Sequence, residues 1–175
     1  MNRFISLLIV FLSVTFSVHA QSFKGVKLYA YSQIVIPGVA PKDVITEDGK
    51  NVSTVRKQKK NMWVYLTHPS SVTLKQCEIY IDGVKYKAKA EHISKTPVTY
   101  TDYNIPDFPK TIVFVPKTTS RVALITPTET VKSTPSSTLK KMIKENQVVV
   151  AYIINGKRYY SAVKKFTVIE PAVAS

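Results

Sequence analysis

The fold is decided by the stretch from Gln147 to Val168, QVVVAYIINGKRYYSAVKKFTV, which predicts a β-hairpin with Asn155-Gly156 at its tip. Its first arm is rich in β-branched and aromatic residues, and Asn-Gly readily adopts the two positive φ angles of a type I′ turn. A two-residue turn also sets the register of the two arms. The facing pairs are then Tyr152 with Tyr159, Ile153 with Arg158, Val150 with Ser161, and Val148 with Val163.

Both faces of this predicted hairpin are largely apolar. The first arm, Val148 to Ile154, carries no charged residue, so neither of its faces is suited to water. A strand that is apolar on both sides is usually covered on both sides. We therefore predict that the hairpin lies near the middle of a sandwich or barrel and not at a sheet edge.

Residues 1–20 have the three parts of a secretory signal peptide. Arg3 supplies the charged start, Phe4 to Phe16 the apolar stretch, and Val18-His19-Ala20 the small-residue cleavage site. The apolar stretch is shorter than the roughly 20 residues that a helix needs to cross a bilayer. We predict cleavage after Ala20 and a periplasmic or secreted protein, with a single β-sandwich domain over 21–175 and no transmembrane segment in the mature chain.

Composition narrows the class of protein. The chain has 175 residues, one cysteine, and 25 Lys and Arg against 11 Asp and Glu, a formal net charge of +14 to which the leader contributes only Arg3. Cys77 alone cannot form an internal disulfide, so the stability of the domain must come from its core. The positive charge favours anionic partners such as acidic polymers, lipid head groups or acidic proteins.

Two Asp-Gly pairs indicate further hairpins. Asp48-Gly49 lies within a short one from Val44 to Val52, and Asp82-Gly83 joins two arms whose faces separate cleanly. One face of this second hairpin is predicted to be core and the other to face water. The core pairs are Ile81 with Val84, Ile79 with Tyr86, and Cys77 with Ala88; the outer pairs are Tyr80 with Lys85, Glu78 with Lys87, and Gln76 with Lys89.

The remaining segments are also predicted to be mostly strands. Pro116 and Pro127 end two of them, and because proline cannot donate to a ladder, we place those ends at sheet borders. Lys95 to Pro109, with three prolines among aromatic residues, predicts an extended edge segment or a long loop. The strand segments are Val26 to Ile36, Met62 to Thr67, Thr111 to Val115, Arg121 to Thr126, and Lys165 to Ile169.

One short helix interrupts the strands. Ser137 is its predicted cap, and Leu139, Met142 and Ile143 share the face that would pack on the sheet. The whole pattern predicts an all-β fold, an antiparallel β-sandwich or partly open barrel of about 8 to 10 strands, with several two-residue hairpins and one short helix near 138–145.

Residues for catalysis or metal binding are scarce. His68 and His92 are the only histidines after the leader, and neither has a second histidine or a cysteine at zinc-site spacing. Cys77 falls on the core face of its hairpin, where burial raises the pKa of a thiol. We predict no metal, no cofactor and no enzymatic activity. The alternative, an unrecognised hydrolase, needs a pocket in which His68 or His92 meets an acid and a hydroxyl.

The basic side chains carry most of the functional content. We predict that they contact an anionic ligand, with Tyr80 placed to stack on a sugar or base. A further basic cluster, Lys140, Lys141 and Lys144, lies in the predicted helix. A surface that only keeps the protein soluble is the alternative interpretation. The predicted contact residues are Lys85, Lys87, Lys89, Tyr80, Arg56, Lys57, Lys59 and Lys60.

These features together predict a non-enzymatic accessory or binding protein of the cell envelope, which contacts an anionic polysaccharide or a partner protein. Specific nucleic-acid binding is not expected. The first alternative is a structural subunit that assembles through its sheet edges, using strands near Thr111 to Thr126 and the segment around Tyr100. The sequence leaves the ligand, the strand order and the oligomeric state open.

Overall fold

The structure is a computed structural model that describes residues 22–36, 44–45, 51–52, 59–102 and 109–173. The predicted signal peptide, the predicted turn at Asp48-Gly49, and the pair Arg56 and Lys57 lie outside the described residues. Strands dominate the described chain, so the all-β prediction with one short helix is confirmed. The elements are β1 (Lys27–Ile36), β2 (Val44–Ile45), β3 (Asn51–Val52), β4 (Lys59–His68), β5 (Lys75–Ile81), β6 (Val84–Ile93), β7 (Val98–Asp102), β8 (Lys110–Val115), β9 (Arg121–Thr130), α1 (Ser137–Glu145), β10 (Val148–Ile154), β11 (Lys157–Val163) and β12 (Thr167–Val173).

Eight strands form one sheet in the order β11-β10-β5-β6-β9-β4-β1-β12, while β2 pairs with β3 and β7 with β8 in two small sheets. Neighbours in the large sheet are antiparallel except β1 and β12, which run parallel. The predicted antiparallel pairing thus holds for all but this last pair. It differs there because β12 reaches β1 from the far end of the sheet and not through a hairpin.

The connection between β11 and β12 requires the large sheet to curl. In a flat sheet with strands about 4.8 Å apart, these two end strands would lie roughly 34 Å from each other. Only residues 164–166 join them, a connection that spans at most about 14 Å when extended. The two ends must therefore approach each other, and β1 does contact β11. The result is a half-barrel with a sandwich-like arrangement, as predicted.

Both predicted two-residue hairpins are confirmed. Asn155 and Gly156 have φ angles of +50° and +75°, and Asp82 and Gly83 have +48° and +85°, as a type I′ turn requires. All four predicted pairs of the β10 and β11 hairpin are present. Five pairs of the β5 and β6 hairpin are also present, from Ile81 with Val84 to Cys77 with Ala88.

The predicted central position is correct for β10 but wrong for β11, which is an end strand of the large sheet. β10 is buried on both faces because the core covers one and α1 the other. The second arm, β11, carries Lys157 and Arg158 in exposed positions. Charged residues on an end strand discourage pairing with another chain, which is consistent with its place.

The large sheet has an inner and an outer face. The inner face forms the main core, in which residues of β5 and β10 such as Ile79 and Tyr152 meet residues of β1 and β4 such as Ala30 and Leu66. The outer face has two covers. α1 packs on Tyr80 of β5 and Val149 of β10, and the β7 and β8 pair packs through Phe114 on Tyr65, Val122 and Ile169.

Two local predictions need correction. The helix cap is Ser136 and not Ser137; its side chain makes no capping bond, and its carbonyl accepts the Lys140 N–H at 2.8 Å. Pro127 does not end its strand, since β9 continues to Thr130. Proline is tolerated there because β4 pairs with β9 only as far as Leu124, and the register with β6 shifts beside Pro127.

Candidate functional site

The lysine row of β6, which comprises Lys85, Lys87 and Lys89, lies on the outer face of the sheet. These residues alternate with the core-facing Tyr86 and Ala88, as the sequence predicted. β6 lies between β5, which α1 covers, and β9, which the β7 and β8 pair covers. The lysine row therefore occupies the strip between the two covers of the outer face.

Carboxylates accompany two lysines of this row. Glu78 pairs with Lys85 at 3.0 Å and also binds Arg158, while Glu129 accepts a hydrogen bond from Lys87 at 2.9 Å. That hydrogen bond and the charge of Lys87 lower the pKa of Glu129. The strand register places Glu78 opposite Lys87 as predicted, but its ion pair goes diagonally to Lys85. The row therefore carries less excess charge than its sequence indicates.

The expectation that Tyr80 faces water is wrong. Its side chain is only 3% exposed, because α1 covers it with Leu139 and the neighbouring strand supplies Val149. This burial raises the pKa of the Tyr80 hydroxyl. Tyr80 therefore anchors the helix on the sheet and cannot stack on a sugar or base without moving α1.

The basic run at the start of β4 is only partly described. Lys59 and Lys60 are exposed at the first positions of this strand. The Nζ atom of Lys60 lies 4.8 Å from the centre of the Phe166 ring, a cation–π contact with the residue that precedes β12. These two lysines are on β4 and the lysine row is on β6, with β9 between them in the sheet.

A larger site forms at the end of α1, where two basic segments that are distant in sequence meet. Lys140 and Lys144 from the helix and Lys164 from the β11–β12 connection line a cleft of about 520 Å³. We call it the lysine cleft. Its other lining residues are Asp82, Gly83, Pro135, Ile143, Glu145, Asn146 and Gln147.

Gln147 holds the three walls of the lysine cleft together. Its carbonyl accepts the N–H of Asp82 at 2.9 Å, and its own N–H donates to the Lys164 carbonyl at 3.1 Å. Its side-chain Oε1 accepts the N–H of Phe166 at 3.0 Å. One residue thus joins the hairpin turn, the end of the helix and the β11–β12 connection, so the cleft is built on fixed backbone.

The sequence alone indicated only the helix side of this site. It identified Lys140 and Lys144 as one face of a helix, but did not assign a role to Lys164 or Gln147. The adjacent Lys164-Lys165 at the end of a hairpin arm was the available signal for the third lysine. The predicted register of the hairpin sets Gln147 opposite Lys164, but no local pattern could have indicated its bond to Asp82, which lies 65 residues earlier in the chain.

His68 and His92, the two histidines of the described residues, also meet in the structure. His68 of β4 and His92 of β6 line a cleft of about 160 Å³ together with Arg121 of β9, which we call the histidine cleft. Its remaining lining residues are Thr73, Leu74, Ala90 and Ala123, so no carboxylate among the described residues lines it. The acid, histidine and hydroxyl that a hydrolase needs are therefore not assembled there from the described residues.

Within the described part of the chain, no three histidine, cysteine or acidic side chains come close enough to hold a metal ion. In the part of the chain that the structure describes, α1 is the single helix, and its nine residues are too few to cross a bilayer.

Comparison with known proteins found no matching family model, no matching curated protein and no matching solved structure.

Proposed function

We propose that this chain is an exported, non-enzymatic binding protein of the cell envelope that holds an acidic polysaccharide in the lysine cleft. One observation carries the proposal: Lys140, Lys144 and Lys164 converge on a cleft of about 520 Å³ whose backbone is fixed by Gln147. This size falls within the range of about 300 to 1,000 Å³ that small-molecule sites occupy.

The lining of the cleft favours a sugar acid over a simple polyanion. The three ammonium groups donate to carboxylate or sulfate oxygens. Asp82 and Glu145 line the same cleft, and a carboxylate accepts hydrogen bonds from hydroxyl groups but repels closely spaced anionic groups. A sugar acid unit offers both an anionic group and hydroxyls, whereas a nucleic-acid backbone offers closely spaced charges.

The lysine row of β6 extends the proposed contact. Gly83 lines the cleft, and Lys85 follows two residues later on the outer face. Lys89 lies further along the same row and, like Lys87, is exposed, whereas Lys85 is half-buried. A polysaccharide longer than one or two units would continue from the cleft along this strip, where Lys85 and Lys87 exchange their contacts with Glu78 and Glu129 for contacts with the ligand.

Removing the three cleft lysines should weaken this binding. We expect the triple variant Lys140→Gln, Lys144→Gln and Lys164→Gln to bind polygalacturonate at least about tenfold more weakly, a loss of ~1.4 kcal/mol. The affinity of the unmodified protein should also fall as salt rises, because exposed charges are screened. Isothermal titration calorimetry of the 21–175 chain at low and high salt measures both effects.

A matched control removes the same charge elsewhere. Lys75 at the start of β5, Lys95 after β6 and Lys117 after β8 do not line the lysine cleft. Their triple change to Gln should alter the affinity by no more than about two- to threefold, through net charge alone. Equal losses in the two triple variants would contradict a specific cleft and favour a basic surface that only maintains solubility.

A second function, assembly through a sheet edge, is favoured by one observation. β12 ends the large sheet, and Val168 on it is 70% exposed beside the exposed side chains of Ile34, Ile36 and Met62. This edge is not the one predicted from the sequence, which was Thr111 to Thr126 with the segment around Tyr100. Arg121 to Thr126 belongs to β9 inside the sheet, and of the predicted edge material only β8 and β7, which contains Tyr100, remain in a two-stranded sheet.

If β12 is the assembly edge, Val168→Lys should abolish self-association, because an inserted charge is a common protection of edge strands. The fold should persist, since this side chain is already exposed. The matched variant Val113→Lys places the same charge on exposed β8. Light scattering over a concentration series should show a monomer for the first variant only. Loss of assembly in the second variant alone would place the edge at β8.

A further inference from the structure

The histidine cleft is built from one row of the inner sheet face. His68 pairs with Arg121 across β4 and β9, and His92 pairs with Ala123 across β6 and β9. Residues that face each other across a ladder share one side of the sheet, as do residues two apart along a strand. His68, Arg121 and His92 therefore project from three adjacent strands toward the same side, at the open end of the main core.

The three groups differ in exposure. His68 is 6% exposed and forms the inner part of the cleft. Its ring is oriented by a 3.0 Å contact between Nδ1 and the Pro69 carbonyl, which accepts a hydrogen bond in the tautomer that carries the proton on Nδ1. Arg121 and His92 are exposed at the rim. A ligand could therefore enter past the rim and meet an already oriented ring.

Each ionisable side chain that lines the cleft, among the described residues, is a cation or can become one. Arg121 is charged at any pH at which the protein folds, and each histidine gains a charge in acid. The remaining lining side chains, from the β4–β5 connection and from β6 and β9, are Thr73, Leu74, Ala90 and Ala123, which are uncharged. Three like charges held by neighbouring strands repel one another unless an anion lies between them.

We propose that the histidine cleft binds a small oxyanion, such as a sulfate, phosphate or carboxylate group. Arg121 supplies the permanent charge and forked donors that fit an oxyanion, and His68 and His92 donate to its remaining oxygens when protonated. The cleft holds about 160 Å³, room for one such group and not for a polymer segment. The Thr73 side chain offers a further hydrogen bond to the same group.

The binding should strengthen as the pH falls. Burial lowers the pKa of His68, the Pro69 carbonyl partly offsets this, and the charges of Arg121 and His92 lower the pKa further. The cleft is therefore incompletely charged near neutral pH without a ligand. An anion favours protonated histidine, so anion binding and proton uptake at His68 are coupled.

Sulfate is the most suitable probe because it remains a dianion across the pH range in which histidine titrates. Any pH dependence of the affinity for sulfate then belongs to the protein. The ring Cε1–H signals of His68 and His92 would be followed by NMR during sulfate titration at constant ionic strength. We expect saturable shifts of both signals, with affinity at least about tenfold higher near pH 5.5 than near pH 8. Absence of saturable shifts at the lower pH would overturn the proposal.

Variants separate the cleft from general surface charge. Arg121→Gln should weaken sulfate binding at least about tenfold, because it removes the permanent charge of the site. His92→Gln, at the exposed rim, should reduce the pH dependence of sulfate binding and leave the part that belongs to His68. Lys95→Gln removes one nearby charge from outside the cleft and should leave the affinity within about twofold. Equal effects of Arg121→Gln and Lys95→Gln would reject a defined site.

Two further arms identify the source of the oxyanion and keep this site independent of the lysine cleft. Dextran sulfate presents the same group on a polymer; if it shifts the histidine signals at lower sulfate-group concentration than the free ion does, the natural ligand is a substituent of a polymer. The triple variant of Lys140, Lys144 and Lys164 should bind free sulfate in the histidine cleft unchanged. Loss of sulfate binding in this variant would show that the two sites are not separate.

Discussion

Phe114→Ala should lower the free energy of unfolding by about 3 to 5 kcal/mol, a large part of the 5 to 15 kcal/mol that is typical of a domain. Phe114 is 2% exposed and is the centre of the aromatic cluster that joins β8 to the large sheet. Its ring stacks on Tyr31 at 4.4 Å and on Tyr100 at 5.6 Å. The substitution removes these contacts and leaves a cavity.

The neighbouring residue provides the control. Val113 is 49% exposed on the same strand, so Val113→Thr keeps a β-branched side chain and should change the stability by no more than about 0.5 kcal/mol. Urea unfolding followed by fluorescence and by circular dichroism would measure both variants. Similar losses in the two would mean that the aromatic cluster does not hold β7 and β8 on the sheet.

The second large effect is a loss of stability in alkali that depends on Cys77. Burial on the inner face raises the pKa of this thiol from its ordinary 9.0 to about 11. In the unfolded chain the thiol ionises near its ordinary pKa, whereas in the folded protein it stays neutral up to the raised value. The stability due to the neutral thiol is therefore fully present below pH 9.0. Between pH 9.0 and pH 11 the free energy of unfolding falls by on the order of 2 to 3 kcal/mol, because the unfolded chain loses the thiol proton and the folded protein keeps it.

Cys77→Ala isolates this contribution. Burial also raises the pKa values of Tyr31, Tyr65 and Tyr80, but the variant keeps all three groups. Near neutral pH the variant should be less stable than the unmodified protein by about 1 kcal/mol, because it loses a buried sulfur atom. This difference should shrink above pH 9.0, reverse just below about pH 10, and leave the variant the more stable protein by about 1 kcal/mol near pH 11. Parallel curves of unfolding free energy against pH would contradict the effect.

Hairpin structure could be read from the chain because it depends on neighbouring residues. Asn155-Gly156 and Asp82-Gly83 each select the turn that fits a two-residue loop, and the turn then sets every facing pair of its arms. The alternation of apolar and polar residues in β6 likewise placed its lysines on the outer face. These features hold whatever the rest of the chain does.

The position of a strand in the sheet could not be read in this way. Tyr80 lies on a face that its own hairpin leaves open, and it is buried only because α1, nearly sixty residues later, packs on it. Pro127 remains inside a strand because β4 stops pairing before it. Both outcomes depend on which distant segment arrives, and local preferences carry no information about that.

The same distinction between local and distant interactions applies to the candidate sites. The sequence predicted an all-β fold, its hairpin registers, its short helix and an excess of basic side chains, all from backbone preferences and alternation over a few residues. The register of the β10 and β11 hairpin sets Lys164 opposite Gln147 at the end of α1, whereas the order β6-β9-β4 sets Arg121 between His68 and His92. Strand order did this because burial of the apolar inner face stabilises one arrangement of the whole sheet, and only that arrangement makes distant polar side chains neighbours.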